Sequence, residues 1–170
     1  YMYAYPNLTA LGGDCANFVS QCMLASGIHY QNDWYVYRKN ENYAKPTNVS
    51  QLNNTWELAD PSPWISAKQF KKYWEQHVTT YTYKASDIIA NPSLAWNLNI
   101  KTGDVIQLAS KTIFGNVGDA WHTMYITGYT TTSGNSTYSL TYHSNETLNK
   151  SLIDICNSNS DSYLVFFKVI

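Results

Sequence analysis

Apolar positions along this chain change period once, near residue 100. Before it, apolar residues recur at helical spacing. After Gly12-Gly13-Asp14-Cys15 they fall at Phe18, Val19, Cys22 and Ala25, which predicts a helix over Asp14 to Ser26. Asp14 stands where a cap for the free first-turn amides is expected, and Gly27 where the helix should stop. Ser66 followed by Gln69 forms a capping box opening a second helix, with Phe70, Tyr73, Trp74 and His77 as its stripe. Tyr81 to Tyr83 reads as a short strand, and Ser86 to Trp96 as a short helix interrupted at Pro92. Beyond Ile100, short runs rich in β-branched and aromatic residues alternate with turns. Strands are expected at Val105 to Leu108, His122 to Tyr129, Tyr138 to His143 and Tyr163 to Ile170, with Ser144 to Lys150 as a loop.

Helices first and strands afterwards predict an α+β protein, an antiparallel sheet with the cysteine helix packed on it. No repeat or linker interrupts the 170 residues, so residues 1–170 read as a single domain. Residues 28–60 keep no sustained period but carry Trp34, Tyr35, Tyr37, Tyr43 and Trp56. Such a long irregular stretch reads as an ordered insertion or a substrate-side loop.

Composition narrows the function. Eleven basic and twelve acidic residues give a net charge of -1, and Arg38 is the one arginine. A phosphate-binding surface normally uses several arginines, so nucleic acid is not expected as a partner. Fifteen tyrosines and six tryptophans, beside abundant Asn, Ser and Thr, suit sugars, peptides or cell wall. No apolar run reaches the length of a membrane span. No signal peptide is visible, and the abrupt opening at Tyr1 suggests a mature or excised domain. Of three cysteines, Cys15 and Cys22 lie about 10 Å apart along one helix, too far to bridge. Cys22 and Cys156 read as small apolar packing groups, with a disulfide between them as the lesser alternative.

Cys15 carries the candidate chemistry. At a helix start it neighbours unpaired N–H groups and the positive end of the helix dipole, which is expected to lower its thiol pKa. A cysteine nucleophile needs a base and a group to orient that base. Of four histidines, His29 reads as a loop residue and His77 as a core or edge residue. If Tyr129 and Ser136 close a hairpin, His122 falls opposite His143, with Cβ atoms about 4.5–5.5 Å apart. One imidazole could then act as base and the other fix its tautomer. Asn145 is a rival orienter. Cys15, His122 and His143 could also be zinc ligands, but no pair has tight structural-zinc spacing.

Four stretches together resemble a known family. They are Gly13-Asp14-Cys15-Ala16-Asn17-Phe18-Val19-Ser20-Gln21-Cys22, Gly103-Asp104-Val105-Ile106, His122-Thr123-Met124-Tyr125-Ile126-Thr127-Gly128-Tyr129, and Tyr142-His143-Ser144 with Leu148-Asn149-Lys150-Ser151-Leu152. Their order resembles the putative amidase domain family of Gram-positive bacteria, similar to papain-like cell-wall cysteine hydrolases of the NlpC and CHAP types. Ala16 stands where that family usually has Thr, and Ser144 to Thr147 keeps the shape of its loop but not all its residues. The resemblance implies a papain-like, NlpC-like fold. It further implies an exported cysteine amidase or peptidase acting on peptidoglycan with Cys15 as nucleophile, His122 as base and His143 as orienter, and no cofactor. It places the protein outside the cell or in the cell wall. The Cys15 N–H is the expected oxyanion donor, with a Tyr3 or Tyr5 hydroxyl as a second candidate. Asn17 and Gln21 read as helix-surface groups, either of which could border the cleft, and Trp34, Trp64 and Trp121 as groove residues or as packing groups. The alternative is a noncatalytic module binding cell wall, glycan or protein on the same fold.

Overall fold

Residues 4–144 and 146–170 are described by a computed structural model. In chain order the elements are α1 (Cys15–Ala25), β1 (Tyr37–Arg38), α2 (Val49–Thr55), β2 (Trp56–Glu57), α3 (Ala67–Trp74), β3 (Thr79–Lys84), α4 (Ala85–Ala90) and α5 (Ser93–Trp96). There follow β4 (Val105–Lys111), β5 (Val117–Thr132), β6 (Asn135–Tyr142), β7 (Thr147–Ser151), α6 (Leu152–Ser158) and β8 (Tyr163–Lys168). Six strands form one sheet in the order β3-β8-β4-β5-β6-β7, antiparallel at every pairing. The expected α+β architecture is therefore observed, with α1 packed across β5.

Two apolar layers sandwich the sheet, and the strands sort their residues between them with period two. Val105 and Ala109 of β4 and Val165 and Phe167 of β8 face the layer of Val19, Met23, Phe70 and Trp74 from α1 and α3. Ile106, Leu108, Leu164 and Phe166 face the layer of Ala85, Ile88, Ala95, Leu152, Ile155 and Cys156 from α4, α5 and α6.

Two elements differ from the expectation, β7 and the stripe of α1, whereas residues 28–60 follow the first of their two readings, an ordered insertion. Residues 28–60 carry α2 and the small β1–β2 pair, and their Trp34, Val36, Leu52 and Trp56 complete the first apolar layer. Two helices are too few to cover that face of the sheet, so the insertion covers the rest. Residues 144–150 include strand β7, and α6 follows it without a distinct sequence signal. In α1 the buried stripe is Ala16, Val19, Ser20 and Met23, with Asn17 beside it; Phe18 and Cys22 are half-buried and Ala25 is exposed. Two small polar residues, Asn17 and Ser20, thus take core positions that apolar periodicity assigns elsewhere.

Ser66 caps α3 as expected, accepting from the Gln69 N–H. The three cysteines are free, and Cys156 lies in the apolar layer across the sheet from α1, which excludes a bridge to Cys22. Among the described residues no helix is long and apolar enough to cross a membrane.

Candidate active site

The start of α1 is held by a network of buried polar groups. Asn17, fully buried, donates to Pro6 O and Asp14 Oδ1, each at 2.7 Å, and accepts from Trp64 Nε1 at 2.9 Å. Ser20 donates to Trp64 O and accepts from Trp34 Nε1, both at 3.0 Å. Asn17 is therefore an interior group, contrary to its reading as a surface residue. Trp34 and Trp64 are fully buried and line no groove, because their indole N–H groups anchor α1. Trp121 is half exposed and stacks beside His122 at 5.8 Å.

Asp14 occupies the N-cap position but does not cap the helix with its side chain. Its Oδ1 accepts from the Leu8 N–H and from Asn17, and its Oδ2 lies 2.7 Å from His143 Nδ1. The His143 ring also rests on Phe18, with centroids 5.8 Å apart. A cleft of about 330 Å³, lined by Gly12, Gly13, Asp14, His143 and Ser144, opens beside the start of α1. A smaller one beside it includes Tyr5, Phe18 and Gln21. The larger hollow of about 400 Å³ near Tyr35 and Tyr73 holds neither cysteine nor histidine.

Cys15 opens α1 and is partly exposed. The Thr123 N–H and hydroxyl, the Ala16 N–H and its own N–H all face the sulfur and favour the thiolate. Burial outweighs them and raises the thiol pKa above its ordinary value. The sequence reading expected the opposite, because the helix terminus is visible in sequence and the desolvation is not.

His122 and His143 are not a cross-strand pair. The β5–β6 hairpin closes on Thr132 and Asn135 around Ser133 and Gly134, both at positive φ. Tyr129 pairs with Tyr138, and an extra residue near Thr127 shifts the register so that Tyr125 meets Thr141. Carried onward, this sets His122 level with Ser144, whose Oγ lies 3.4 Å from His122 Nδ1. A slip of one residue reverses every facing partner, and here it separates the two histidines. The His122 ring sits edge-on to Tyr142 at 4.5 Å and is 8 % exposed, and burial pushes its pKa down to about 4. His122 is consequently neutral at neutral pH.

Among the described residues no hydrogen bond joins Cys15 to either imidazole, and no group of three His, Cys, Asp or Glu side chains is placed to hold a metal ion. Yet each histidine stands one residue from a neighbour of Cys15. His143 holds Asp14, which precedes the cysteine, and His122 precedes Thr123, which faces it. His29 and His77 are exposed and lie apart, His77 stacked on Tyr73 at 4.1 Å. Asn145 and Tyr3 lie outside the described residues. Asp14, Ser144 and Thr123 are the partners that sequence reasoning missed. Each adjoins a residue it had singled out, and adjacency was the available signal.

Fold and site define an α+β protein whose first helix begins at a thiol, packs on an antiparallel sheet and is tied at its cap residue, Asp14, to His143. The chain belongs to the putative amidase domain family, whose model matches residues 2–166. That membership points to hydrolysis of amides. No curated protein and no solved structure matches the chain significantly.

Proposed function

We propose that this protein is a papain-like cysteine amidase or peptidase acting outside the cell on bacterial peptidoglycan. Three residues carry the chemistry. Cys15 is the nucleophile, His122 the base and His143 the support of the helix that presents the thiol. The observation behind this reading is the placement of Cys15 at the start of α1, with one histidine on either side through Asp14 and Thr123.

In the proposed reaction the Cys15 sulfur attacks the amide carbonyl carbon while His122 takes the thiol proton. The new oxyanion accepts from the Cys15 and Ala16 N–H groups at the helix terminus. Collapse breaks the C–N bond, the imidazolium protonates the departing amine, and water then hydrolyses the thioester. Burial keeps His122 neutral at neutral pH, so one ring nitrogen is unprotonated, while the same burial weakens it as a base. The Asp14–His143 bond keeps the first turn of α1 in register with the end of β6. The near-neutral, hydroxyl-rich and aromatic composition supports a cell-wall substrate.

One observation favours a second reading of the base. His143 has its Nδ1 on a buried carboxylate and lines the cleft beside α1, with Nε2 3.9 Å from the exposed Glu146 carboxylate. Digestion of purified peptidoglycan, followed by mass spectrometry of the fragments, tests both. The wild type is expected to release new amine termini and Cys15→Ala none. Intact peptidoglycan with both would overturn the hydrolase and leave a binding module, and equal cleavage by both would remove Cys15 as the nucleophile. His122→Ala is expected to lower kcat at least 10³-fold, about 4 kcal/mol in barrier, and His143→Ala by about tenfold. The reverse ranking would make His143 the base.

A further inference from the structure

Gln107 and Thr123 are both fully buried, on β4 and β5, and pair across the sheet. Gln107 Nε2 donates to Ala67 O at 2.9 Å and to Thr123 Oγ1 at 2.8 Å. A carbonyl oxygen can only accept, so the contact with Ala67 O fixes which end of the amide is nitrogen. The second amide hydrogen then occupies a lone pair of the Thr123 hydroxyl. The hydroxyl keeps one proton to donate; β5, which carries it, packs against α1, and the hydroxyl is one of the groups that favour the Cys15 thiolate.

The arrangement leaves Gln107 Oε1 buried without a partner, one of two such side-chain atoms among the described residues. A buried unpaired carbonyl is costly. A residue selected only to pack this site would be apolar. The orphan is the consequence of aiming both amide hydrogens, one to α3 and one to Thr123.

We infer that Thr123 is a positioning residue for the nucleophile, its hydroxyl oriented by Gln107 to donate to the Cys15 sulfur and hold the thiolate as it forms. No proton is transferred along this chain; the thiol proton leaves for the base, and Thr123 remains a hydroxyl. Removing the hydroxyl should cost thiolate, and moving it onto serine should not.

This inference rests on Cys15 being the nucleophile, but its test does not use hydrolysis. The rate of Cys15 alkylation by iodoacetamide, located by mass spectrometry, is measured against pH in the whole chain. Thr123→Val is expected to alkylate about tenfold more slowly than wild type at pH 7, its midpoint displaced upward by about one unit. Thr123→Ser is expected to stay within about twofold. An unchanged rate and midpoint in a folded Thr123→Val would overturn the inference. Should that variant fail to fold, Gln107→Met answers the same question, since it frees the hydroxyl to rotate away. A slower rate and higher midpoint would support the relay, and a wild-type profile would refute it. If Cys15→Ala still hydrolysed amides, the function proposed above would fail, while the alkylation profile would still report on Thr123.

Discussion

At the scale of single residues, the polar side chains buried under α1 do most to place the thiol. Asn17 makes three hydrogen bonds, to Pro6 O, Asp14 Oδ1 and Trp64 Nε1, and so joins the chain before the helix, the cap position and the turn before α3. Asn17→Ala removes all three and leaves Trp64 Nε1 unpaired in the core. A loss of about 2–4 kcal/mol in unfolding free energy is expected by urea denaturation, with the denaturant slope unchanged. Ordinary hydrophobic patterning places asparagine on a surface, and only the packed structure puts Trp64 above it.

Strands and turns decide which residues meet. The β5–β6 hairpin was recognisable from Gly134 and the flanking alternation, but its register depends on the extra residue near Thr127. The Thr127 hydroxyl engages Ser139 O of β6 and Asn149 Oδ1 of β7, at 3.2 and 3.0 Å. Asn149 lies outside the hairpin, so the hairpin sequence does not report that partner. Turns that carry their own cause were easier to read. Gly103 has φ +101° and packs against Ile170, so a side chain there would be both strained and crowded. Asp104, fully buried, accepts from the N–H groups of Lys101, Val169 and Ile170 at 2.8–3.1 Å, tying the start of β4 to the chain leaving β8. Asp104→Ala strands three donors, and a loss of about 3 kcal/mol is expected, read as a fall in the thermal midpoint.

For the molecule as a whole, the buried neutral His122 links stability to pH. Its pKa falls from 6.5 to about 4 because burial disfavours the imidazolium. Between those values the unfolded chain binds a proton that the folded chain does not, so stability declines as pH falls from 6.5 to 4. Below about pH 4 both forms are charged and this contribution flattens. The shift corresponds to about 3 kcal/mol. Unfolding titrations from pH 7 to 4 are expected to show that slope in wild type and to lose it in His122→Gln.

The sequence alone determined the helix that starts at Cys15, the capped helix after Ser66, five of the strands and the α+β class, because those follow from local period and local turn chemistry. It also marked Cys15, His122 and His143 as residues worth testing. Only the tertiary structure decided what each of them touches. Asp14 turned from the helix amides to His143, Thr123 took the place beside the thiol, and Ser144 took the place beside His122. Burial then raised the pKa of Cys15 and lowered that of His122. Register and desolvation both depend on partners far along the chain, and no local pattern encodes either.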